Sequence, residues 1–252
     1  MRPFRFCLAL CVLLACLSGC ADEIPTEPTE QTLPPSPYAA EDFAVGSPFV
    51  QYTGEKTAYV GIDVSTHQGE IDWEAVAASG VEFAMIRIGY RGYTEGGISV
   101  DDTFERNITQ AQQAGIETGV YFFSQATSVA EAEEEARFVC DQLEGYTLTY
   151  PVVFDWERMA DTRSAEVPYA TVTECAKAFC SLVEDNGRRA GVYFNLEMSK
   201  FMDFRELQNY VLWLAEYNDY PTYSYDFDCW QYSTTGQVDG IGVNTDLNLY
   251  FE

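Results

Sequence analysis

Between residues 58 and 249, short runs of β-branched and aromatic residues alternate with stretches whose apolar positions recur every three or four residues. A period of two lines one face of a strand, and a period near 3.6 lines one face of a helix. Strands are predicted on this basis at 59–64, 83–88, 118–123, 151–157 and 190–195. Helices are predicted at 72–79, around 103–114, at 129–143 and around 169–186, with breaks at Gly80, Gly115 and Gly187. Ser128 and Glu131 form a capping-box pattern at the start of the third helix. That helix turns Ala132, Ala136, Val139 and Leu143 inward, and the run Glu133, Glu134, Glu135 is expected to be solvated surface. After 195 the spacing shortens, and 211–217, 228–232 and 243–249 read as strands with little room for helices. Strand and helix alternating at this spacing predict a parallel α/β sheet. Eight strands in about 195 residues fit a TIM-like barrel whose last helices are missing or short, (β/α)5(β)3, where a full barrel takes about 250 residues.

The front of the chain follows another pattern. Arg2 and Arg5 precede the apolar run 6–17, and small residues follow, as in a secretory signal. Its end, Leu17-Ser18-Gly19-Cys20, resembles a bacterial lipobox. The resemblance implies that 1–19 is a signal peptide and that Cys20 carries the lipid. Several acyl chains on one residue meet the need for more than one chain in durable anchoring. The protein is then expected to be exported and held at the outer face of the cytoplasmic membrane, touching it only through that anchor. Residues 20–56 contain Pro25, Pro28, Pro34, Pro35, Pro37 and Pro48 among Thr, Glu and Ser, without apolar periodicity. They are expected to form a disordered tether reaching on the order of 110 Å if extended, with the barrel domain at 57–252.

Composition narrows the function. Lys and Arg number 14 against 40 Asp and Glu, a formal charge of −26. Such a surface repels phosphate backbones and anionic headgroups, which argues against nucleic-acid partners and membrane adsorption through a basic face. With 47% hydrophobic and 15% aromatic residues, the chain is too apolar to be a disordered acidic protein. Beyond the signal and the lipobox Cys20, only Cys140, Cys175, Cys180 and Cys229 remain, without metal-binding spacing, and the first three occupy apolar helix positions. His67 is the only histidine. A histidine-based metal site or a Ser-His-Asp triad lacks raw material, so no cofactor is expected and the chemistry falls to carboxylates.

Four acids sit at predicted strand ends, where barrels of this kind gather their active sites: Asp63, Asp155, Glu157 and Asp246. Residues two apart in a strand share a face, so Asp155 and Glu157 point together into the barrel mouth and Trp156 points back toward the helices. A bland alternative pairs these acids with Arg158 or Arg87. Like charges held close raise one pKa, which keeps a carboxylic acid protonated near neutral pH. Glycoside hydrolysis needs that division: one acid protonates the leaving oxygen, and carboxylates stabilise charge at the anomeric carbon. Tyr90, Tyr121, Phe123, Tyr193, Trp213, Tyr217 and Trp230 are candidate sugar-stacking residues.

These residues resemble glycoside hydrolase family 25, the bacterial and phage-type muramidases. The resemblance rests on Gly61-Ile-Asp63-Val-Ser65-x-His67-Gln-Gly69-x-Ile71-Asp72-Trp73, on Phe83-Ala-Met-Ile-Arg87-x-Gly89-Tyr90 and on Gly119-Val-Tyr121-Phe-Phe-Ser124-Gln125-Ala126. It continues through Pro151-Val-Val-Phe-Asp155-x-Glu157, Trp213-x-Ala215-x-Tyr217, Trp230-Gln231-Tyr232-Ser233 and Thr245-Asp246-Leu-Asn248. The match runs in order from about 59 to 251. It implies that Glu157 is the general acid, that Asp155 orients or stabilises the reacting centre by positioning an N-acetyl group, and that Asp63 and Asp246 complete an acidic cleft. It also implies substrate contacts from Tyr121, Tyr193, Tyr217, Trp230, Gln231 and Arg87, the last pairing with an acid of the cluster, while His67 is either a rim residue or one that supports the site from behind. Family 18 chitinases share the D-x-E shape but carry further acids where this chain has Val153 and Pro151. Trp156 departs from the small or aliphatic residue usual between the acids, and its outward direction leaves the chemistry untouched. The expected function is an N-acetylmuramidase that cleaves the β-1,4 bond between N-acetylmuramic acid and N-acetylglucosamine in peptidoglycan glycan strands, acting as a monomer. A non-catalytic glycan-binding lipoprotein on the same fold is the rival reading. A transporter's binding lipoprotein would need two lobes, for which the chain is too short.

Overall fold

The computed structural model describes residues 32–252. The signal peptide and Cys20 lie outside the described residues. Eleven strands and four helices run in the order β1 (Phe43–Ala44), β2 (Gln51–Tyr52), β3 (Ala58–Val64), α1 (Trp73–Ala78), β4 (Phe83–Arg91), β5 (Ile98–Val100), α2 (Phe104–Gln113), β6 (Glu117–Ser124), α3 (Val129–Gln142), β7 (Val152–Trp156), α4 (Tyr169–Asp185), β8 (Ala190–Asn195), β9 (Val211–Ala215), β10 (Cys229–Gly236) and β11 (Thr245–Phe251). Eight of the strands close a barrel in the order β3-β11-β10-β9-β8-β7-β6-β4, and β4 pairs with β3 to complete it.

The predicted TIM-like barrel is therefore present, with two amendments. The sheet is mixed rather than wholly parallel, because β11 runs antiparallel to both β10 and β3. Only residues 237–244 join β10 to β11, and a parallel crossover takes a dozen or more residues. The fifth helix expected from (β/α)5(β)3 is reduced to a 3-10 turn, Met198–Lys200. Two of the helices, α1 and α3, start where a side chain satisfies a first amide. Asp72 accepts from the Ala75 N–H at 3.1 Å. Ser128 accepts from the Glu131 N–H at 3.4 Å, while Glu131 reaches back to the Thr127 N–H at 2.8 Å.

The core has two layers. Between strands and helices lie Ile62, Ile86, Phe122, Phe154, Trp156 and Phe179, all buried. Inside the barrel a second cluster of Phe83, Met85, Tyr150, Val153, Tyr193, Trp213, Cys229 and Tyr250 fills the lumen below the mouth. Phe83 and Tyr150 stack there at 4.4 Å. Strand alternation divides the layers: along β7, Val153 and Asp155 face the lumen while Phe154 and Trp156 face the helices. The Trp156 indole N–H donates to the Ala126 carbonyl at 3.0 Å, as its outward direction requires.

Two surface expectations are corrected. Glu135 is fully buried rather than solvated. Its carboxylate receives Arg91 Nε at 2.6 Å and the Ser124 hydroxyl at 2.6 Å. Arg91 is itself 3% exposed, and it also binds Glu134 and the carbonyls of Gly96 and Glu131. A buried cation demands such a partner, and the demand comes from a residue 44 positions away.

The second correction concerns the expected tether. From residue 33 to 56 the chain is packed against the barrel, with β1 and β2 forming a small antiparallel pair. Tyr38 is 8% exposed, and its ring lies 4.4 Å from that of Phe227 and 4.5 Å from that of Phe251. Phe43 packs edge-on against Trp230 at 5.2 Å. The Ser36 N–H donates to the Ser224 carbonyl, and Lys56 pairs with Asp226 at 3.2 Å. The last strands have no helix of their own to cover their outer apolar face. This arm covers it instead, which removes that face from water.

Candidate active site

The lumen opens at the carboxyl ends of the parallel strands into a cavity of about 330 Å³. Asp63, Asp155, Glu157 and Asp246 all line it, with Tyr121, Tyr193, Tyr217, Gln231 and Arg87. Asp155 and Glu157 arrive by the i, i+2 alternation of β7. Asp63 and Asp246 stand directly opposite each other in the β3–β11 ladder, so barrel closure brings together residues from the two ends of the domain.

Hydrogen bonds give each acid a different environment. Asp63 Oδ2 receives the Gln231 amide at 2.8 Å and the Asn248 amide at 2.8 Å. The Trp213 indole N–H donates to Asn248 Oδ1 at 2.9 Å, which fixes that amide with its donor toward Asp63. On the other side, the Tyr193 and Tyr217 hydroxyls donate to Gln231 Oε1 at 3.1 and 2.8 Å. Asp155 is 6% exposed, and its Oδ1 is buried with no hydrogen-bond partner among the described residues. Glu157 is half-buried at the mouth, one residue past the end of β7.

Burial raises the pKa of all four acids. For Asp155 it acts with the charges of Glu157 and Asp63, and the carboxyl sits well above the usual range. For Glu157 it acts with the charge of Asp63. Asp246 is pushed up to about 8 by burial and by Asp63, with which it shares a hydrogen bond. Asp63 is raised by burial, against the pull of the Asn248, Gln231 and Asp246 bonds. Asp63 and Asp246 thus hold one proton between them, with Asp246 as its principal carrier. The cleft provides both acids and carboxylates near neutral pH, as general acid chemistry needs.

The predicted residues converge with two exceptions. Trp230 is fully buried on the outside of β10, where its N–H donates to the Glu216 carbonyl at 2.8 Å. Adjacent strand residues face opposite ways, so with Gln231 in the lumen Trp230 is directed out. Tyr90 does not line the cavity; Arg87 lies over its ring at 5.4 Å. Arg87 does line the cleft, but its partner is Asp101 at 2.7 Å rather than an acid of the cluster. Although burial pushes Asp101 up, hydrogen bonds from Thr103 and Thr66 and the Arg87 charge hold it below its usual value. Arg158 also leaves the acids alone and binds the Ala165 and Val167 carbonyls.

Four contributors went unassigned in the sequence. Asn248 lies two residues beyond Asp246, and that spacing could have placed it on the same face. Asp101, Tyr93 and Met159 carry no such signal. Tyr93 and Met159 line the cavity from loops, and Tyr93 packs edge-on against Phe123 at 5.8 Å. His67 lines the rim as expected and is exposed. Among the described residues no cluster of His, Cys, Asp and Glu is arranged to hold a metal ion.

Comparison with known proteins places this arrangement. A family model described as Glycosyl hydrolases family 25 matches residues 62–241. The chain is similar to the autolytic lysozyme of Clostridium acetobutylicum, with 27% identity over 197 residues covering 76% of this chain and 56% of that protein. Similarity to Lysozyme M1 of Streptomyces globisporus is 26% over 211 residues, covering 75% of this chain and 67% of that one. The modular autolysin LytC from Streptococcus pneumoniae superposes with a TM-score of 0.68 at 23% identity, covering 79% of this chain and 48% of that chain. A family 25 glycosyl hydrolase from Bacillus anthracis gives 0.66 at 21% identity, covering 77% and 89%. The chain spans about half the length of the clostridial and pneumococcal proteins. At these identities the likeness to the solved structures concerns the fold alone.

Proposed function

Because the chain belongs to glycosyl hydrolase family 25, we propose that it is an N-acetylmuramidase cleaving the β-1,4 bond between N-acetylmuramic acid and N-acetylglucosamine of peptidoglycan. The observation that carries this reading is the buried Asp155 Oδ1, which has no donor among the described residues, in the same cavity as Glu157 at the mouth. A substrate N-acetyl N–H would satisfy that oxygen and turn its own carbonyl oxygen toward the anomeric carbon. The charge of Glu157 helps raise Asp155, so a donor that favours the ionised form of Asp155 goes with a proton held on Glu157. Glu157 then protonates the leaving glycosidic oxygen. Asp63 holds its charge through two amide donors and stabilises the positive charge that develops on the sugar. Tyr217, 54% exposed, supplies a ring for stacking, with its hydroxyl held by Gln231. The name of the clostridial relative, an autolytic lysozyme, supports the same substrate class.

The proposal extends to location. Lipid attachment at Cys20 would hold a monomeric barrel at the outer face of the cytoplasmic membrane. Incorporation of labelled fatty acid, lost in Cys20→Ala, checks this part.

The full chain is expected to release new reducing ends from purified peptidoglycan, with mass spectrometry of the products placing N-acetylmuramic acid at the new end. Glu157→Gln should abolish release while the melting temperature is retained. Binding of muropeptides without cleavage by the unaltered chain would refute the assignment in favour of a glycan-binding protein.

A further inference from the structure

Glu157 lies one residue beyond the last ladder position of β7, so sheet pairing does not fix the peptide group that follows its side chain. Two buried side chains do so instead. Gln125 Nε2 donates to the Glu157 carbonyl oxygen at 3.1 Å, and Ser164 Oγ reaches the same oxygen at 3.2 Å. Both side chains are 0% exposed. The Gln125 amide has one satisfactory orientation: Nε2 also donates to the Ser124 carbonyl at 3.1 Å, and Oε1 lies 3.2 Å from the Thr162 hydroxyl. Turning it over would set Oε1 against two carbonyl oxygens. Ser164 is held in turn, since its Oγ accepts from the Met159 N–H at 3.2 Å and lies 2.9 Å from Thr162 Oγ1. Arg158 anchors the far side of the same backbone. It binds the Ala165 and Val167 carbonyls, with its guanidinium 4.4 Å over the Tyr169 ring.

We propose that Gln125 and Ser164 are positioning residues that hold the main chain of Glu157 and thereby aim its carboxyl at the glycosidic oxygen. This rests on the reading of Glu157 as the general acid. Neither residue touches the cavity, and neither has been given a role by the site already described. The physical reason for a dedicated clamp is that Glu157 must sit at the mouth to reach substrate. At the mouth the ladder has ended, and a displacement of about 1 Å in a reacting group costs on the order of a hundredfold in rate. The two hydrogen bonds restore outside the strand the fixity that the ladder gives within it. They also connect the acid to the end of β6 and to the loop that carries Met159 into the cavity.

The test measures kcat and KM on a soluble peptidoglycan glycan fragment, with melting temperature, for Gln125→Leu, Gln125→Glu, Ser164→Ala and Glu157→Gln in the full chain. Gln125→Leu should lower kcat by about 10- to 100-fold with KM changed by less than about twofold, and Ser164→Ala should do the same to a lesser extent. Gln125→Glu adds a signature that a stability role does not produce. Its protonated carboxyl still donates to one carbonyl, but the ionised form repels both. Its kcat should approach the unaltered value at low pH and fall through a new inflection as pH rises. Wild-type kcat in both Gln125→Leu and Ser164→Ala, or a loss confined to KM, would overturn the proposal while leaving the role of Glu157 intact. Should Gln125→Leu fail to fold, Ser164→Ala and the pH profile of Gln125→Glu decide the matter alone. Full activity in Glu157→Gln would instead remove the reading beneath it, and the proposal with it.

Discussion

Replacing Tyr38 by alanine is expected to destabilise the barrel although the residue is twenty positions ahead of its first strand, β3. The ring of Tyr38 is 8% exposed and lies against Phe227 and Phe251 at 4.4 and 4.5 Å, with Tyr52 at 6.1 Å. Its hydroxyl donates to the Phe227 carbonyl at 2.7 Å. Removing a buried aromatic ring costs about 3–5 kcal/mol through lost burial and the cavity left behind. Because the arm lies at the surface and water can reach part of the vacated space, the lower end, about 3 kcal/mol, is expected. For a domain of this size that corresponds to a fall of roughly 6–12 °C in melting temperature. Tyr38→Phe keeps the ring and loses two hydrogen bonds, the one donated to the Phe227 carbonyl and the one accepted from Lys56 Nζ at 3.2 Å, for about 1–2 kcal/mol. Val45, 73% exposed in the same arm, provides the control: Val45→Ala should stay within about 0.5 kcal/mol. Urea and thermal unfolding of the three variants, monitored by circular dichroism, give the ordering. A Tyr38→Ala protein that melts with the unaltered chain would refute the argument, and residues 33–56 would then be a spacer as their composition suggests.

Further expectations follow from the buried charges and the cleft. Asp246, with a folded pKa of about 8, holds a proton that the unfolded chain releases near pH 4, so its contribution favours folding at low pH and declines as pH rises from about 4 to 8. Asp246→Asn should therefore flatten the fall in melting temperature between pH 5 and 8, and an unchanged slope would refute the shared proton. Glu135→Ala strands Arg91, which is 3% exposed, and should cost roughly 3 kcal/mol in chemical denaturation even though Glu134 remains; a cost under about 1 kcal/mol would show that Arg91 is satisfied without it. Tyr217→Ala should raise KM about fivefold, the equivalent of about 1 kcal/mol for one aromatic contact, whereas Trp230→Phe should leave KM unchanged and lower stability. Equal KM effects in the two variants would contradict the outward direction of Trp230.

Much of the site was legible because strand periodicity is a local property. Asp155 and Glu157 two apart, Tyr121 and Phe123 two apart, and Trp156 reversed between the acids all follow from alternation along one strand. The same rule turns the neighbours Trp230 and Gln231 to opposite faces of β10, so only Gln231 reaches the cleft. Helix positions were likewise readable from apolar spacing and caps, with Asp72 and Ser128 starting helices as their neighbours predict. Glu135 broke the pattern. Its side chain lies among charged residues in sequence, yet it is buried because Arg91 on a distant strand requires a counter-charge.

The amino-acid sequence by itself determined the strands and helices, the faces on which their side chains stand, and the identity of the four acids, since each depends on spacing within a few residues. Which of those faces meet depended on the tertiary structure. Barrel closure set Asp246 opposite Asp63, the short 237–244 connection reversed the last strand, and the bare outer face of β10 and β11 drew in the arm from 33 to 56. Arg87 found Asp101 rather than an acid of the cleft. These outcomes depend on burial and charge compensation between residues far apart in the chain, and local periodicity carries no information about which distant partner will satisfy them.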